Sequence, residues 1–207
     1  IVPVWGLSGI MEKIELETSW GEKVSTKTDL KGYWKINLKT PRADRIPHTI
    51  VINSESDKLV INNVLLGEVW LASGQSNMGW RMRQTLDSER LMKEPKNSEI
   101  RMITVERDLD LKPKTTFKGE WNISNSKTIP EFSAVGYFFA KKLYEKLNIP
   151  IGIINSSVGG TPAEAWANVN NLKKVEGFED MEERMKISTD PKTEYNQWID
   201  NHNFIDR

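Results

Sequence analysis

Two short segments of this chain carry residue types at spacings that chemistry could use. The first, Val69 to Trp80, reads VWLASGQSNMGW. Its apolar run, Val69-Trp70-Leu71-Ala72, stops at Ser73-Gly74, and Gln75, Ser76 and Asn77 follow at once. A run so short and apolar predicts a strand buried on both faces. Gly74 lets the chain turn sharply as it leaves that strand. In open parallel sheets, reactive groups sit where the chain leaves the C-terminal ends of strands, and Ser76 stands at such a place. Two roles fit it: a nucleophile on a tight strand-to-helix turn, or a serine that caps the next helix.

The second segment begins with another buried-strand pattern, Ile151-Gly152-Ile153-Ile154-Asn155, and runs on through Ser156-Ser157-Val158-Gly159-Gly160-Thr161-Pro162-Ala163-Glu164-Ala165-Trp166. Thr161 with Glu164 three residues on has the form of a capping box, and Pro162 falls at the first helical position. A helix is therefore predicted to start here, with Glu164 as a cap rather than an acid or base. Gly159 and Gly160 lie just before it, where their N–H groups are unshielded. Free N–H groups at the positive end of a helix favour a negative oxygen. An acyl-transfer enzyme needs such donors for its tetrahedral intermediate, each worth about 3–4 kcal/mol of barrier. Gly-Gly is also a common tight turn. The lysine of a phosphate-binding Walker loop is missing.

A serine nucleophile needs a base, and the chain has two histidines. His48 falls in an alternating β region and reads as a surface or strand-end residue without ligand partners. His202, in Asp200-Asn201-His202, mimics an acid–base pair, a coincidence that only geometry tests.

The elements that must position these residues follow from periodicity. From Ile1 to about Leu66 the chain alternates and turns often: Ile14 and Leu16 among charged residues, then Trp34, Ile36 and Leu38, then Ile50 and Ile52. Turn signals fall at Gly21, Gly32 and between Pro41 and Pro47. This predicts a small antiparallel β-sandwich over residues 1–66. Over residues 67–207 the pattern changes to α/β. Thr85 to Met92 is helix-tolerant, Ile100 to Val105 is β-like, and Lys112 to Asn125 is loop-like. Ser133 to Leu147 has helical period, with Ser133 as N-cap and Val135, Phe138, Phe139, Leu143 and Leu147 near one stripe. Strand, helix and strand at this spacing predict a parallel sheet. The last stretch is polar: Phe178 to Met185 is helix-like, Pro191 breaks it, and Glu194 to Ile199 resumes helical character.

Composition narrows the function classes. The 207 residues balance 29 Lys+Arg against 29 Asp+Glu. That leaves no electrostatic footprint for nucleic acid or an anionic membrane. No apolar run approaches membrane-spanning length. The absence of cysteine rules out disulfides and thiolate zinc sites. The eight tryptophans suit sugar rings, although any one of them is more simply a core or sheet residue.

The run Glu68 to Met78, EVWLASGQSNM, resembles the nucleophile block of the sialate O-acetylesterase family, within the SGNH hydrolases and related to acetyl-xylan esterases. Gln75 stands where the more familiar G-D-S block has aspartate. The string S-x-G-G-T-P-x-E-A-W at Ser157 to Trp166 resembles that family's second block, and Val2-Pro3-Val4-Trp5-Gly6 resembles a segment that normally follows another N-terminal stretch. The resemblance implies the first half of a flavodoxin-like SGNH domain preceded by the β-sandwich. It implies Ser76 as nucleophile, with oxyanion donors from the N–H groups of Ser76 and Gly159 and with Gly160 as their neighbour. Gln75 and Asn77 then lie beside the substrate. The implied reaction is serine-dependent removal of O-acetyl groups from carbohydrate, with neither metal nor organic cofactor. A secreted or periplasmic location follows from the resemblance alone. The family's third block, W-Y-Q-G-E, and its later Asp–His block have no counterpart here. The chain is thus expected to be a fragment lacking the acid–base pair and nearly inactive alone. The competing expectations are a non-catalytic carbohydrate-binding or scaffolding module, and an SGNH esterase acting on non-sugar esters.

Overall fold

A computed structural model of the chain describes residues 1–86, 88–93, 95–108 and 114–188. Alternation in the first third produces strands β1 (Val2–Leu7), β2 (Lys13–Thr18), β3 (Lys23–Lys27), β4 (Tyr33–Leu38), β5 (His48–Asn53) and β6 (Lys58–Val64). β1 and β4 pair antiparallel, and β3-β2-β5-β6 form a second antiparallel sheet. The side chains that alternate inward, Ile14, Leu16, Trp34, Ile36, Leu38, Ile50 and Ile52, share one core between the two sheets. Burying each removes apolar surface worth about 1.5–3 kcal/mol.

His48 opens β5 and is buried, not at the surface. Its Nδ1 lies 3.0 Å from Ser19 Oγ, and its Nε2 lies 3.1 Å from both Asp44 carboxylate oxygens. The strand-end expectation holds, and the surface alternative fails because Asp44, in the Pro41–Pro47 loop, folds back onto the ring. Partial burial pushes the Asp44 carboxyl up, but the His48 hydrogen bond, the Ile46 N–H and the His48 charge outweigh it, leaving Asp44 below its ordinary value. A carboxyl depressed in this way stabilises the fold above its unfolded value of about 3.9, and that contribution is lost as pH falls through the lower folded value. Asp44→Asn should therefore lower the melting temperature at pH 7, and the gap to the parent should close below about pH 4. A gap unchanged across that range would show that the carboxylate charge is irrelevant there.

The neighbouring Arg45 spans to the second half of the chain. Its Nε donates to Glu99 at 2.8 and 2.6 Å, and its other nitrogens reach Tyr144 and Asn148 at 3.0 and 3.3 Å.

The second half contains β7 (Glu68–Gly74), α1 (Ser76–Gly79), α2 (Ser88–Met92), β8 (Asn97–Thr104), β9 (Asn122–Ser124), α3 (Ala134–Leu147), β10 (Ile151–Ser157), α4 (Val169–Leu172) and α5 (Met181–Ser188). Sheet order is β7-β10-β8-β9. β10 runs parallel to both β7 and β8, while β9 closes one edge antiparallel. A core of Ile100, Met102, Ile151, Ile153, Met82 and Phe132 sits between this sheet and α3. The expected helix over Glu194–Ile199 lies outside the described residues, as does Trp198.

Two burial expectations are corrected. The β7 run is not buried on both faces: Val69 is 62% exposed and Leu71 66%, and only Ala72 is buried. β7 is the edge strand, so half its surroundings are missing among the described residues, whereas central β10 does bury Ile151, Gly152 and Ile153. The helix α3 begins at the expected N-cap, with Ser133 Oγ accepting from Gly136 N–H at 3.0 Å. Its inward face, however, is Ala134, Gly136, Tyr137 and Ala140, while Val135, Phe138, Phe139 and Leu147 face outward. Small residues win because they let the helix lie close on the sheet: a methyl on Gly136 would stand 3.3 Å from Ile153 Cγ2. Trp5, Trp34 and Trp70 are sheet residues as expected, whereas Trp80, Trp121 and Trp166 lie outside the strands. Trp34 is core, but Trp5, Trp70, Trp80, Trp121 and Trp166 are each at least 39% exposed.

Candidate active site

The parallel pairing sets β7 and β10 side by side in register, with Ser157 opposite Gly74. Both strands therefore release their chains at the same end of the sheet. Gly74 turns with φ of 139°, a conformation side chains rarely adopt. Val158 N–H then donates to Gly74 O at 3.0 Å, clamping the two exits together.

After Gly74 the chain forms the single helical turn α1, of which Ser76 is the first residue. Ser76 is not the cap. Gln75 is, and the Ser76 hydroxyl donates to Gln75 Oε1 at 2.8 Å instead of accepting a backbone N–H. This removes the capping role as an account of the serine. Ser76 and Asn77 are exposed at the mouth of the turn.

The turn is held from behind. Ser133 Oγ donates to Met78 O at 2.6 Å, and Ala134 N–H donates to Trp80 O at 2.8 Å. Arg81 and Arg83 both pair with Glu131, at 2.6 and 2.8 Å. The hydroxyl that caps α3 thus also fixes α1, a role that sequence spacing gave no sign of, since the partners are 55 residues apart.

Gly159 is brought to Ser76. A methyl built on Gly159 would lie 3.7 Å from both Ser76 Oγ and Ser76 Cα, so the glycine backbone faces the hydroxyl directly. Gly160 follows with φ of 83° and open space around it. The helix expected next is a single 3-10 turn, Ala163–Trp166, with Pro162 at the cap position and no capping side chain. The capping-box expectation for Thr161 and Glu164 fails because the Thr161 hydroxyl is used elsewhere. It donates to Val158 O at 2.8 Å and accepts from the Trp166 indole at 2.9 Å. Helix-dipole support for an anion is therefore withdrawn.

A cleft of about 670 Å³ adjoins the Ser157–Val158 exit, lined by Leu71, Val105, Phe117 and Ser156 as well as by those two residues. Its size suits a sugar-sized ligand. A smaller hollow of about 360 Å³, with Gly67, Val69 and Pro150, lies at the opposite ends of the strands, away from the end where open α/β sheets place their sites.

Of the two histidines, His48 has both ring nitrogens engaged by Ser19 and Asp44. His202 and Asp200 lie outside the described residues. No group of three His, Asp or Glu side chains suited to a metal occurs among the described residues, and none of their helices is long and apolar enough to cross a membrane.

A mixed α/β sheet with a serine and a glycine turn at adjacent strand exits is a framework for ester chemistry, and the comparisons agree. A family profile described as carbohydrate esterase, sialic acid-specific acetylesterase, matches residues 66–196. Human sialate O-acetylesterase is 29% identical over 188 residues, spanning 82% of this chain and 36% of that protein. The rat sialate O-acetylesterase is 35% identical over 194 residues, spanning 82% of this chain and 34% of that protein. A crystal structure of a carbohydrate acetylesterase from Xanthomonas citri superposes with a TM-score of 0.79 at 33% identity, covering 85% of this chain and 40% of that one. The chain belongs to the sialic acid-specific acetylesterase family of carbohydrate esterases, a family of carboxylic ester hydrolases. It spans about a third of the length of the curated relatives it matches.

Proposed function

We propose that this chain carries the nucleophile and anion-binding part of a serine esterase that removes O-acetyl groups from carbohydrate, on sialic acid or another acetylated glycan. Residues 1–66 form a supporting β-sandwich, and residues 67–207 form the first part of a flavodoxin-like SGNH hydrolase domain. Ser76 Oγ attacks the acetyl carbonyl, the sugar hydroxyl leaves, and water then releases acetate from the acyl-enzyme. The N–H groups of Ser76 and Gly159, with Gly160 beside them, receive the negative oxygen. The cleft along Ser156, Ser157 and Phe117 takes the sugar.

The observation that carries this reading is the 3.7 Å approach of the Gly159 methyl position to Ser76 Oγ. A glycine there leaves open, for a third atom, the space beside the hydroxyl that a methyl would line at van der Waals distance. The general base comes from outside the described residues, because His48 is committed to Ser19 and Asp44. Without a base, only the residual rate from binding and the anion site is left, several orders of magnitude down. The described residues are accordingly expected to hydrolyse esters slowly on their own.

The exposed Trp5, Trp70 and Trp80 favour one second reading, a binding module whose indoles stack on sugars. A serine-directed phosphonate separates the two. Covalent labelling at Ser76 of the full-length protein, with its general base, is expected for the esterase. Sugar binding with no label at Ser76 would favour the module.

A further inference from the structure

We propose that Gln75 is a positioning residue whose carboxamide oxygen occupies, in the resting site, the place the substrate's carbonyl oxygen takes during reaction. The inference rests on the esterase reading of Ser76. One atom, Gln75 Oε1, accepts two hydrogen bonds: from Ser76 N–H at 3.2 Å and from Ser76 Oγ–H at 2.8 Å. The N–H is the donor assigned to the oxyanion, and the hydroxyl is the nucleophile. Through the N–H contact this oxygen stands in for the ester oxygen, and through the hydroxyl contact it holds the proton that a general base must take before attack.

An ordinary cap gives a different pattern. A capping side chain bonds the N–H of the second or third helical residue, which here are Asn77 and Met78. Gln75 instead folds back on the first. Its side chain is exposed, so nothing packed around it opposes rotation. An amide oxygen is neutral and binds the pair weakly, by about the net value of an ordinary hydrogen bond. It keeps the hydroxyl and the amide aligned, and a polarised ester carbonyl displaces it. A carboxylate at the same place would hold on more tightly, because charge-assisted hydrogen bonds are roughly twice as strong.

The probe is methylboronic acid, titrated against the full-length protein that carries the general base, with the Ser76 backbone amide followed by NMR. The seryl oxygen adds to the trigonal boron, its proton passes to water, and a boronate oxygen lies where the ester oxygen would. Gln75→Ala should bind the probe about 2- to 10-fold more tightly than the parent, as expected for losing one competing hydrogen bond. The Ser76 amide resonance should also move before any probe is added. Gln75→Glu should bind at least about tenfold more weakly than the parent at pH 7. Relative to the parent it should recover as pH falls below about 4.3, where the new carboxyl takes up its proton. Binding by Gln75→Ala that is unchanged or weaker, or a Gln75→Glu deficit independent of pH, would overturn the placeholder while leaving Ser76 as nucleophile. No adduct in the parent or either variant would overturn both.

Discussion

Ser76→Ala is expected to abolish acetate release wherever this chain is part of a turning-over enzyme, by roughly 10⁴–10⁶-fold. The reasoning is local. Ser76 is the only hydroxyl on the α1 turn, and its Oγ is the atom that faces Gly159. The substitution should leave the fold nearly untouched, within about 0.5 kcal/mol, since exposed surface changes seldom cost more. The serine makes one side-chain hydrogen bond, to Gln75, and no cap is lost. The measurement is acetate release from an O-acetylated sialic acid and an O-acetylated xylan oligosaccharide, alongside thermal melting of the same preparation. An unchanged melt with no acetate supports the nucleophile. Acetate release within tenfold of the parent would refute it.

Gly159→Ala keeps its backbone N–H but crowds the space beside Ser76 Oγ with a methyl at 3.7 Å, and should lower kcat by up to about 10²–10³-fold, the loss typical of a disabled oxyanion donor. Space and conformation favour a folded variant. The added methyl meets Ser76 Cα and Oγ at 3.7 Å, ordinary van der Waals contact, with no backbone clash. What it fills is the space beside the hydroxyl, which the proposed function gives to the tetrahedral oxygen. Gly160→Ala is the control with the opposite signature. Its methyl meets nothing within 4 Å, but its φ of 83° is unfavourable for alanine, at a cost of about 1–2 kcal/mol. Gly159→Ala should therefore lose activity and keep stability, and Gly160→Ala should lose stability and keep more activity. If Gly159→Ala turns over like the parent, the Gly-Gly pair is only a bend in the chain.

The elements of this fold were largely legible because their signals are local. Alternation at Ile14-Leu16 and Trp34-Ile36-Leu38 marked strands with one buried face, and these residues do form a common core. Ser133 announced the start of α3 because a cap needs only its own next three residues. The sequence was misleading where burial depends on neighbours far away. Val69 and Leu71 read as fully buried, yet they lie on an edge strand, and hydropathy does not report which strand ends up at an edge. The Phe138-Phe139 stripe read as the inner face of α3. Close packing on the sheet selected Ala134, Gly136 and Ala140 instead. The capping box at Thr161 failed for a similar reason, since Val158 O and the Trp166 indole compete for the same hydroxyl.

The chain's own order of residues determined that a serine follows one strand and a glycine pair follows another, and it tied both to a known esterase family. Three things were decided only in three dimensions. β7 and β10 became neighbours, so that residues 83 positions apart could share one site. The Ser76 proton and amide both turned to Gln75 Oε1. His48 was drawn into the β-sheet unit by Ser19 and Asp44 and so was withdrawn from catalysis. Each depends on which strands pair and which loops fold back. Those choices are made by the sum of many weak contacts across the molecule, and no window of sequence contains them.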